Sequence, residues 1–509
     1  MRSTTPSFIV EVPLRVNDQQ NRFLEKAFDF GRTVYNATLG TALGRLQRMR
    51  ESKEWRDARN MPKGKERTDA FNKLHKQYSL TEYGLVTVAN NHRKASGRND
   101  IGAHEAQNIG KTVFKALNAY MFKGAGRPRF KSFRRGLNSI EGTSNTEIIF
   151  KPERGVVVWR KRAMKCLIPD TPYMKEALAP GRRVKYCRIV RRRLNGVQRW
   201  FAQIVVEGLP PVRKVYAPQC EVVGIDPGPS RIAYFHERHA GIADLAPTVD
   251  PQEAKVRTLQ RAVDRSQRAN NPDNYNADGT VKKGPKVWKT SNRGQKLYAK
   301  LAEHHRCLAA TRKRDHGELA NLLLQIGGTV KIEKNSYRSY QRNFGRSSNR
   351  RGAGAFVEHL KRKAESAGCR VVELNAYALK MSQYDPATDT YRKKPLKERE
   401  HRWGETDVYV QRDVMSAYLA RYATENGHDR ALLLEKWPTA EALLSGSGLC
   451  RHKPRNDPGA SQDDSGLTKP CCASDGERRR GLPQTPCAEN CLRAICDVRS
   501  TDGESRPAR

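Results

Sequence analysis

The chain has 509 residues, 95 of them Lys or Arg and 54 Asp or Glu, for a formal charge of +41. That length allows two to four domains and a sizeable core, and so large a positive excess repels itself unless a polyanion neutralises it, which makes nucleic acid the default partner. No stretch reaches the ~18 consecutive apolar residues of a membrane span, and the start, Met1-Arg2-Ser3-Thr4-Thr5-Pro6, lacks the apolar core of a secretory signal.

The 11 cysteines are mostly scattered singly, as in Cys166, Cys187, Cys220, Cys307 and Cys369. That pattern suits reduced thiols in a cytosol or nucleoid rather than a disulfide framework. The expected location is cytoplasmic and nucleoid-associated. The basic residues run along the whole chain instead of forming a tail, which also points to a nucleic-acid surface.

Residues 7–14 read as a strand. From 20 to 48, Phe23, Leu24, Ala27, Phe28, Val34, Tyr35, Leu39, Leu43 and Leu46 recur at the helical period and predict an amphipathic helix. Shorter helices are expected at 67–77 and 105–122. Helical structure ends at Gly124-Ala125-Gly126-Arg127-Pro128-Arg129-Phe130-Lys131-Ser132-Phe133-Arg134-Arg135. There Arg127, Arg129, Lys131, Arg134 and Arg135 interleave with Phe130 and Phe133, residues suited to tracking a backbone and stacking on bases. A solvated loop with its phenylalanines anchored in a core is an equally open reading.

From 147 to 208 the texture turns β-rich, with runs at 147–150, 155–159, 184–190 and 200–206. Asn195-Gly196 joins the last two as a hairpin turn, since both residues tolerate positive φ. With 7–14, these short strands predict a small barrel interrupted by a helical insert. Arg188, Arg191, Arg192 and Arg193 lie on or beside a strand and are expected to face a nucleic-acid backbone.

Glu221-Val222-Val223-Gly224-Ile225-Asp226-Pro227-Gly228 delivers one carboxylate, Asp226, from an apolar run into a tight turn. Arg231-Ile232-Ala233-Tyr234-Phe235 reads as a strand returning beside it. Helices are predicted at 252–268 and 293–325, joined by a long polar loop holding Asn270-Asn271-Pro272 and Lys282-Lys283-Gly284-Pro285-Lys286. A strand at 329–333 ends in Glu333. A Gly/Arg/Ser-rich loop at 345–354, a helix near 354–367, a strand at 370–374 and a last helix at 405–424 carrying Asp413 follow. Beyond about 450 the chain lacks hydrophobic periodicity and reads as a disordered tail.

Three acids thus occupy comparable places: Asp226 and Glu333 end strands, and Asp413 sits on a helix. Each has an ordinary alternative. Asp226 can cap a turn, Glu333 can pair with Lys331 or Lys334, and Asp413 with Arg412 or Arg421. Together they follow the strand–hairpin–helix–strand–helix order of a ribonuclease-H-like domain, where strand ends and a neighbouring helix gather such acids. Hard oxygen ligands suit Mg²⁺ or Mn²⁺, and two ions roughly 3.5–4 Å apart support phosphodiester hydrolysis.

Gly224-Ile225-Asp226-Pro227-Gly228, Val330-Lys331-Ile332-Glu333 and Gln411-Arg412-Asp413-Val414-Met415-Ser416-Ala417 resemble the three RuvC motifs of TnpB, the transposon-encoded RNA-guided nucleases, and of the compact type V CRISPR effectors. Gly126-Arg127-Pro128-Arg129-Phe130-Lys131-Ser132 is similar to the family's Gly-x-Pro-x-Phe-Lys stretch. The resemblance covers roughly residues 7–425.

It implies a multidomain α+β and α/β chain. A wedge (oligonucleotide-binding-like) β-barrel would use 1–20 and 137–215, with a helical recognition insert at 21–136. A ribonuclease-H-like RuvC domain with its own helical insert would use 216–378 and 405–430, and a disordered tail 450–509. The implied activity is RNA-guided DNA endonuclease cleavage with two Mg²⁺ or Mn²⁺ ions on Asp226, Glu333 and Asp413. Guide RNA and target DNA are the implied partners, and no membrane is involved. Sequence reading then falls to the guide.

The chain departs from the family at 379–404, a residual target-strand lid without the usual four zinc-ribbon cysteines. No zinc is expected there, and Tyr384, Tyr391, Pro395, Leu396 and Trp403 are expected to hold the segment by packing. Cys471, Cys472, Cys487, Cys491 and Cys496 in the tail fit no standard ribbon. A guide-directed DNA binder that cuts little, a transposase and a plain RNA-binding protein remain as alternative functions.

Overall fold

A computed structural model describes residues 5–133, 136–143, 147–212, 215–395, 398–425 and 427–452. Arg134, Arg135, Leu396 and the cysteines from Cys471 on lie outside them. The chain divides into two compact units, residues 1–213 with 253–307, and residues 214–252 with those from 308 on.

In the first unit, β1 (Ser7–Arg15) buries alternate side chains, Phe8, Val10, Val12 and Leu14. A capping box then starts α1 (Asp18–Glu51). Asn17 Oδ1 accepts from the Gln20 amide at 2.8 Å, and the Gln20 side chain accepts from the Asn17 amide at 3.0 Å. One face of α1, including Leu24, Phe28, Val34, Leu39 and Leu46, is buried, as its period predicts. The helices α2 (Lys53–Asn60), α3 (Lys65–Gln77), α4 (Glu82–Ala95) and α5 (Ala103–Phe122) follow.

The strands of this unit are β2 (Ser139–Glu141), β3 (Ile148–Lys151), β4 (Val156–Trp159), β5 (Arg162–Cys166), β6 (Val184–Leu194) and β7 (Val197–Glu207), with a short α6 (Pro172–Ala177) before β6. With β1 they make a seven-stranded sheet in the order β2-β6-β7-β1-β5-β4-β3. Asn195 (φ 49°) and Gly196 (φ 78°) form the β6–β7 turn with both residues left-handed, as the hairpin expectation requires. The sheet curls back on itself, for β3 lies beside β6. The buried Cys187 thiol on β6 meets the Phe150 backbone, and its burial pushes the thiol up to about 12.

In the second unit, β8 (Val222–Pro227), β9 (Arg231–His236) and β10 (His239–Asp244) form an antiparallel meander. The chain then enters α7 (Asp250–Asn270) and α8 (Asn292–Ile326), whose residues 253–307 belong to the first unit, and returns to the second with β11 (Thr329–Glu333). After it come α9 (Tyr337–Asn343), α10 (Gly345–Arg351), α11 (Ala353–Ser366), β12 (Arg370–Leu374) and α12 (Ala376–Leu379). The sheet order is β10-β9-β8-β11-β12, with β8, β11 and β12 parallel.

The segment 379–404 holds β13 (Tyr384–Asp385), β14 (Thr390–Tyr391) and β15 (Glu400–Arg402). Then β16 (Val408–Gln411) leads directly into α13 (Arg412–Tyr422), α14 (Arg430–Gly446) and β17 (Cys450–His452). Among the described residues no helix is long and apolar enough to cross a membrane.

Several expectations need correction. The helix expected at 405–424 starts only at Arg412, because Val408–Gln411 pairs with β15 and β17. It is followed by α14, whose buried Leu433, Trp437, Ala440 and Leu444 follow the helical period despite Pro438. The loop expected at 345–354 begins as α10, and residues 450–452, assigned to a disordered tail, form β17. By compactness, residues 253–307 group with the first unit. In the 379–404 segment Tyr384 and Trp403 are buried, but Tyr391 and Pro395 are exposed. Tyr391 still packs on Tyr384 at 4.9 Å, and further holding contacts come from outside the segment. Trp437 stacks on Trp403 at 3.7 Å, and His428 on Tyr384 at 4.1 Å.

Candidate functional site

The three acids all belong to the second unit. The strand β11 runs parallel to β8 with Ile332 opposite Ile225, so Glu333 and Asp226 end neighbouring strands at the same level. Parallel neighbours lie about 4.8 Å apart and in-register side chains share a face. Asp413 comes from the first turn of α13, which lies directly on β8. Gly224 permits that approach, for a β-carbon there would stand 2.1 Å from the Ala417 carbonyl oxygen and 2.5 Å from the Arg421 amide. Only a residue without a side chain fits under the helix.

The electrostatics tie these positions together. Burial first, then the charges of Asp413 and Glu333, hold the Asp226 carboxyl well above the usual carboxylate range, against the pull of Arg412. Burial also raises Glu333, opposed by the Met381 backbone N–H, which donates to its Oε1 at 3.4 Å. Asp413 has company of its own. Gln411 Nε2 donates to its Oδ2 at 3.3 Å while Gln411 Oε1 accepts from the Val414 amide at 2.7 Å, so one side chain caps α13 and orients the acid. The Arg412 guanidinium lies 3.3 Å from Asp413 Oδ1.

Of the ordinary alternatives, the Asp413–Arg412 pair is present. Arg421 instead reaches Glu237 at 2.8 Å, and Lys331 donates to the Ala423 carbonyl at 2.7 Å.

Tyr340 is a member of the site that the sequence did not announce. Its hydroxyl donates to the Pro227 carbonyl at 2.9 Å, in the turn that follows Asp226. Burial, then the neighbouring Asp226, Tyr337, Glu333 and Asp413, hold its phenol above the ordinary tyrosine pKa range. Tyr337 and Tyr340, three residues apart in an Arg/Ser-rich stretch, were the available cue for a buried helix face here.

The donor set is oxygen only, with like charges crowded together and Arg412 beside them. In chemistry it fits a divalent cation of the Mg²⁺ or Mn²⁺ type, which would reverse the mutual repulsion. Among the described residues, however, no group of three or more His, Cys, Asp and Glu side chains is drawn close enough to hold an ion. The acids share one field without forming a closed ligand shell.

The basic residues divide sharply. In the 124–133 loop, Arg127, Arg129 and Lys131 are exposed. The loop is pinned to α1 by Asn36, whose side chain accepts from the Lys131 amide at 2.8 Å and donates to the Lys131 carbonyl at 2.9 Å. Phe130 and Phe133 are 56% and 82% exposed, so they are not core anchors, and the Arg32 guanidinium covers Phe133 at 5.5 Å.

On β6 the arginines are engaged. Arg188 pairs with Glu141 at 2.5 Å and donates to Gln203 at 2.9 Å. Arg191 donates to the Leu137 carbonyl at 2.8 Å and lies over Phe28. Arg192 grips Glu11 with two bonds of 2.5 Å. Arg193 is exposed and donates to the Gly196 carbonyl at 2.8 Å.

No protein-family model matches the chain, and no curated protein matches its sequence. Among solved structures, a Cas12f1–sgRNA–target DNA complex aligns at 10% identity and a TM-score of 0.43, over 81% of this chain and 98% of that one. A CRISPR-Cas12f ternary complex aligns at 10% identity and a TM-score of 0.30, over 81% of this chain and 86% of that one.

Proposed function

We propose that this chain is an RNA-guided DNA endonuclease of the TnpB or compact type V kind. Asp226, Glu333 and Asp413 would hold two divalent cations. The observation that carries the reading is the common field of three carboxylates drawn from two parallel strand ends and one helix start, which Arg412 offsets in part. The antiparallel meander β10-β9-β8 continued by parallel β11 and β12 is the strand arrangement a ribonuclease-H-like domain requires, and it supports the same reading.

When bound, the cations would activate a water and stabilise the leaving 3′ oxygen of a phosphodiester. The chain's own residues prepare that chemistry. Tyr340 fixes the turn after Asp226, and Gln411 orients Asp413 at the start of α13. Gly224 sets the distance between helix and strand through backbone contact. The exposed Arg127, Arg129 and Lys131, with Phe130 and Phe133 beside them, supply cations and rings for a nucleic-acid strand. Guide RNA and target DNA are the partners that account for a charge of +41.

The test starts from the RNA that copurifies with the chain. That RNA is sequenced, a matching DNA target is made, and cleavage is followed with and without Mg²⁺. Cutting that requires the matched target, the RNA and the metal is the expected result. Absence of RNA, with binding to terminal-repeat DNA, would favour the transposase instead. A guide-directed DNA binder that cuts little is the other outcome of the same assay. Matched-target binding without any product identifies it.

A further inference from the structure

The segment between α7 and α8, residues 271–291, looks like a polar linker in sequence but is built as a rigid platform. Asn271 is buried; its side chain accepts from the Lys289 amide at 2.6 Å and donates to the Lys289 and Gln267 carbonyls at 2.9 Å each. Asn274 donates to the Val287 carbonyl at 2.8 Å and its own carbonyl accepts from the Lys282 amide at 2.9 Å. Tyr275 bridges to Val281, and Arg268 lies over the Tyr275 ring at 4.8 Å while donating to the Gly279 carbonyl. Side chains thus satisfy the backbone groups that a loose loop leaves to water.

What this frame holds toward solvent is unusual for a linker. Trp288 is 40% exposed with its ring edge-on to Tyr275 at 5.9 Å, and the neighbouring Val287 is 80% exposed. Lys282, Lys283 and Lys289 are exposed around them, and among the described residues none has a carboxylate partner. A fixed aromatic ring beside uncompensated ammonium groups matches a chain of phosphates carrying unpaired bases, since every base offers a face to stack and every phosphate a charge. A paired duplex hides those faces.

We propose that residues 271–291 form a binding site for single-stranded nucleic acid, with Trp288 as the stacking residue and Lys282, Lys283 and Lys289 as the phosphate contacts. This site is separate from the basic 124–133 loop, and it does not rest on the carboxylates being catalytic.

The experiment measures anisotropy of labelled oligo(dT)20, oligo(U)20 and a 20-base-pair DNA duplex with the full chain across a salt series. Trp288→Ala is expected to weaken single-strand binding by about 5- to 10-fold and leave the duplex unchanged, with Trp288→Phe close to the parent. The triple variant Lys282→Ala, Lys283→Ala, Lys289→Ala is expected to lower the slope of log K against log salt by about 2, at about 0.7 per contact.

A matched control removes Lys53, Lys65 and Lys73, exposed lysines of α2 and α3. A loss confined to oligo(dT) or to oligo(U) assigns the strand as DNA or RNA. The proposal is overturned if Trp288→Ala leaves single strands unaffected, if duplex and single strand weaken together, or if the control lysines lower the slope as much. Thermal unfolding of each variant shows that it is folded, and the lysine variant, which truncates exposed side chains alone, decides the matter should Trp288→Ala unfold.

Discussion

The carboxylates at the ends of β8 and β11 and the arginines of β6 are both dense rows of like charge on strands, and their surroundings treat them in opposite ways. Arg188 and Arg192 each have a carboxylate at 2.5 Å, and Arg191 has a carbonyl and a ring. Among the described residues, Asp226 has a partial offset from Arg412 and stands against two more negative charges. A charge matched within its own fold is there for structure, while a charge left in its neighbours' repulsion is held for something that arrives later. The exposed cations of the 124–133 loop resemble the acids in this respect, not the β6 arginines.

The comparison is tested most severely by Asp226→Ala. Under the proposed function it lowers metal-dependent cleavage by more than about 10²-fold, since outer partners of metal ligands alone are worth 10- to 100-fold, while copurified RNA stays bound. Full cutting by this variant would remove the catalytic assignment. Next comes Gly224→Ala, which has no room beneath α13. It is expected to cost about 2–3 kcal/mol, read as a lower urea midpoint at constant slope, and to displace Asp413 so that activity falls with stability. An unchanged midpoint would mean that α13 does not rest on that glycine.

A smaller effect separates the two sets of cations. Arg127→Ala with Arg129→Ala and Lys131→Ala should reduce the salt dependence of nucleic-acid binding by about 2 in slope. Arg188→Ala with Arg192→Ala should leave the slope alone and lower stability instead. Equal slopes for the two variants would erase the distinction drawn here.

The smallest effect concerns pH. Because the folded Asp226 carboxyl titrates above its unfolded value, the folded chain keeps a proton that the unfolded chain has released. Stability contributed by that proton is complete below the unfolded value of about 3.9 and is lost as pH rises through the folded one. Without divalent cations, Asp226→Asn should therefore melt higher than the parent at neutral pH, with the gap closing below about pH 4. Identical melting at every pH would show that the acids do not strain one another.

Much of this arrangement was legible in the sequence because it is local. The alternation of Phe8, Val10, Val12 and Leu14, the period of α1 and the Asn195-Gly196 turn each follow from rules that act over a few residues. The short strands β2 and β5 escaped notice because β5 is Arg162-Ala163-Met164-Lys165-Cys166, whose cations mask its alternation. The helix α2 buries only Ala58 and so carries no stripe to detect.

At the acid site the three carboxylates were readable through their motifs, but their common field was not, since it depends on a bare glycine under a helix. The Tyr340 bond to Pro227 spans 113 residues and leaves no trace in either local segment. The intramolecular pairing of the β6 arginines was hidden for a similar reason. Their partners, Glu11 and Glu141, come from other strands, and only folding brings them alongside.

One feature of the 379–404 segment has a practical outcome. Its clasp is a pair of flat contacts, indole on indole between Trp403 and Trp437 and phenol on imidazole between Tyr384 and His428. Between 379 and 404 there is no thiol for an oxidant to attack or a chelator to strip of metal. These aromatic contacts are thus indifferent to thiol oxidation and to competition for trace zinc, and Arg430, which donates to the Pro386 and Ala387 carbonyls, adds hydrogen bonds to the same grip.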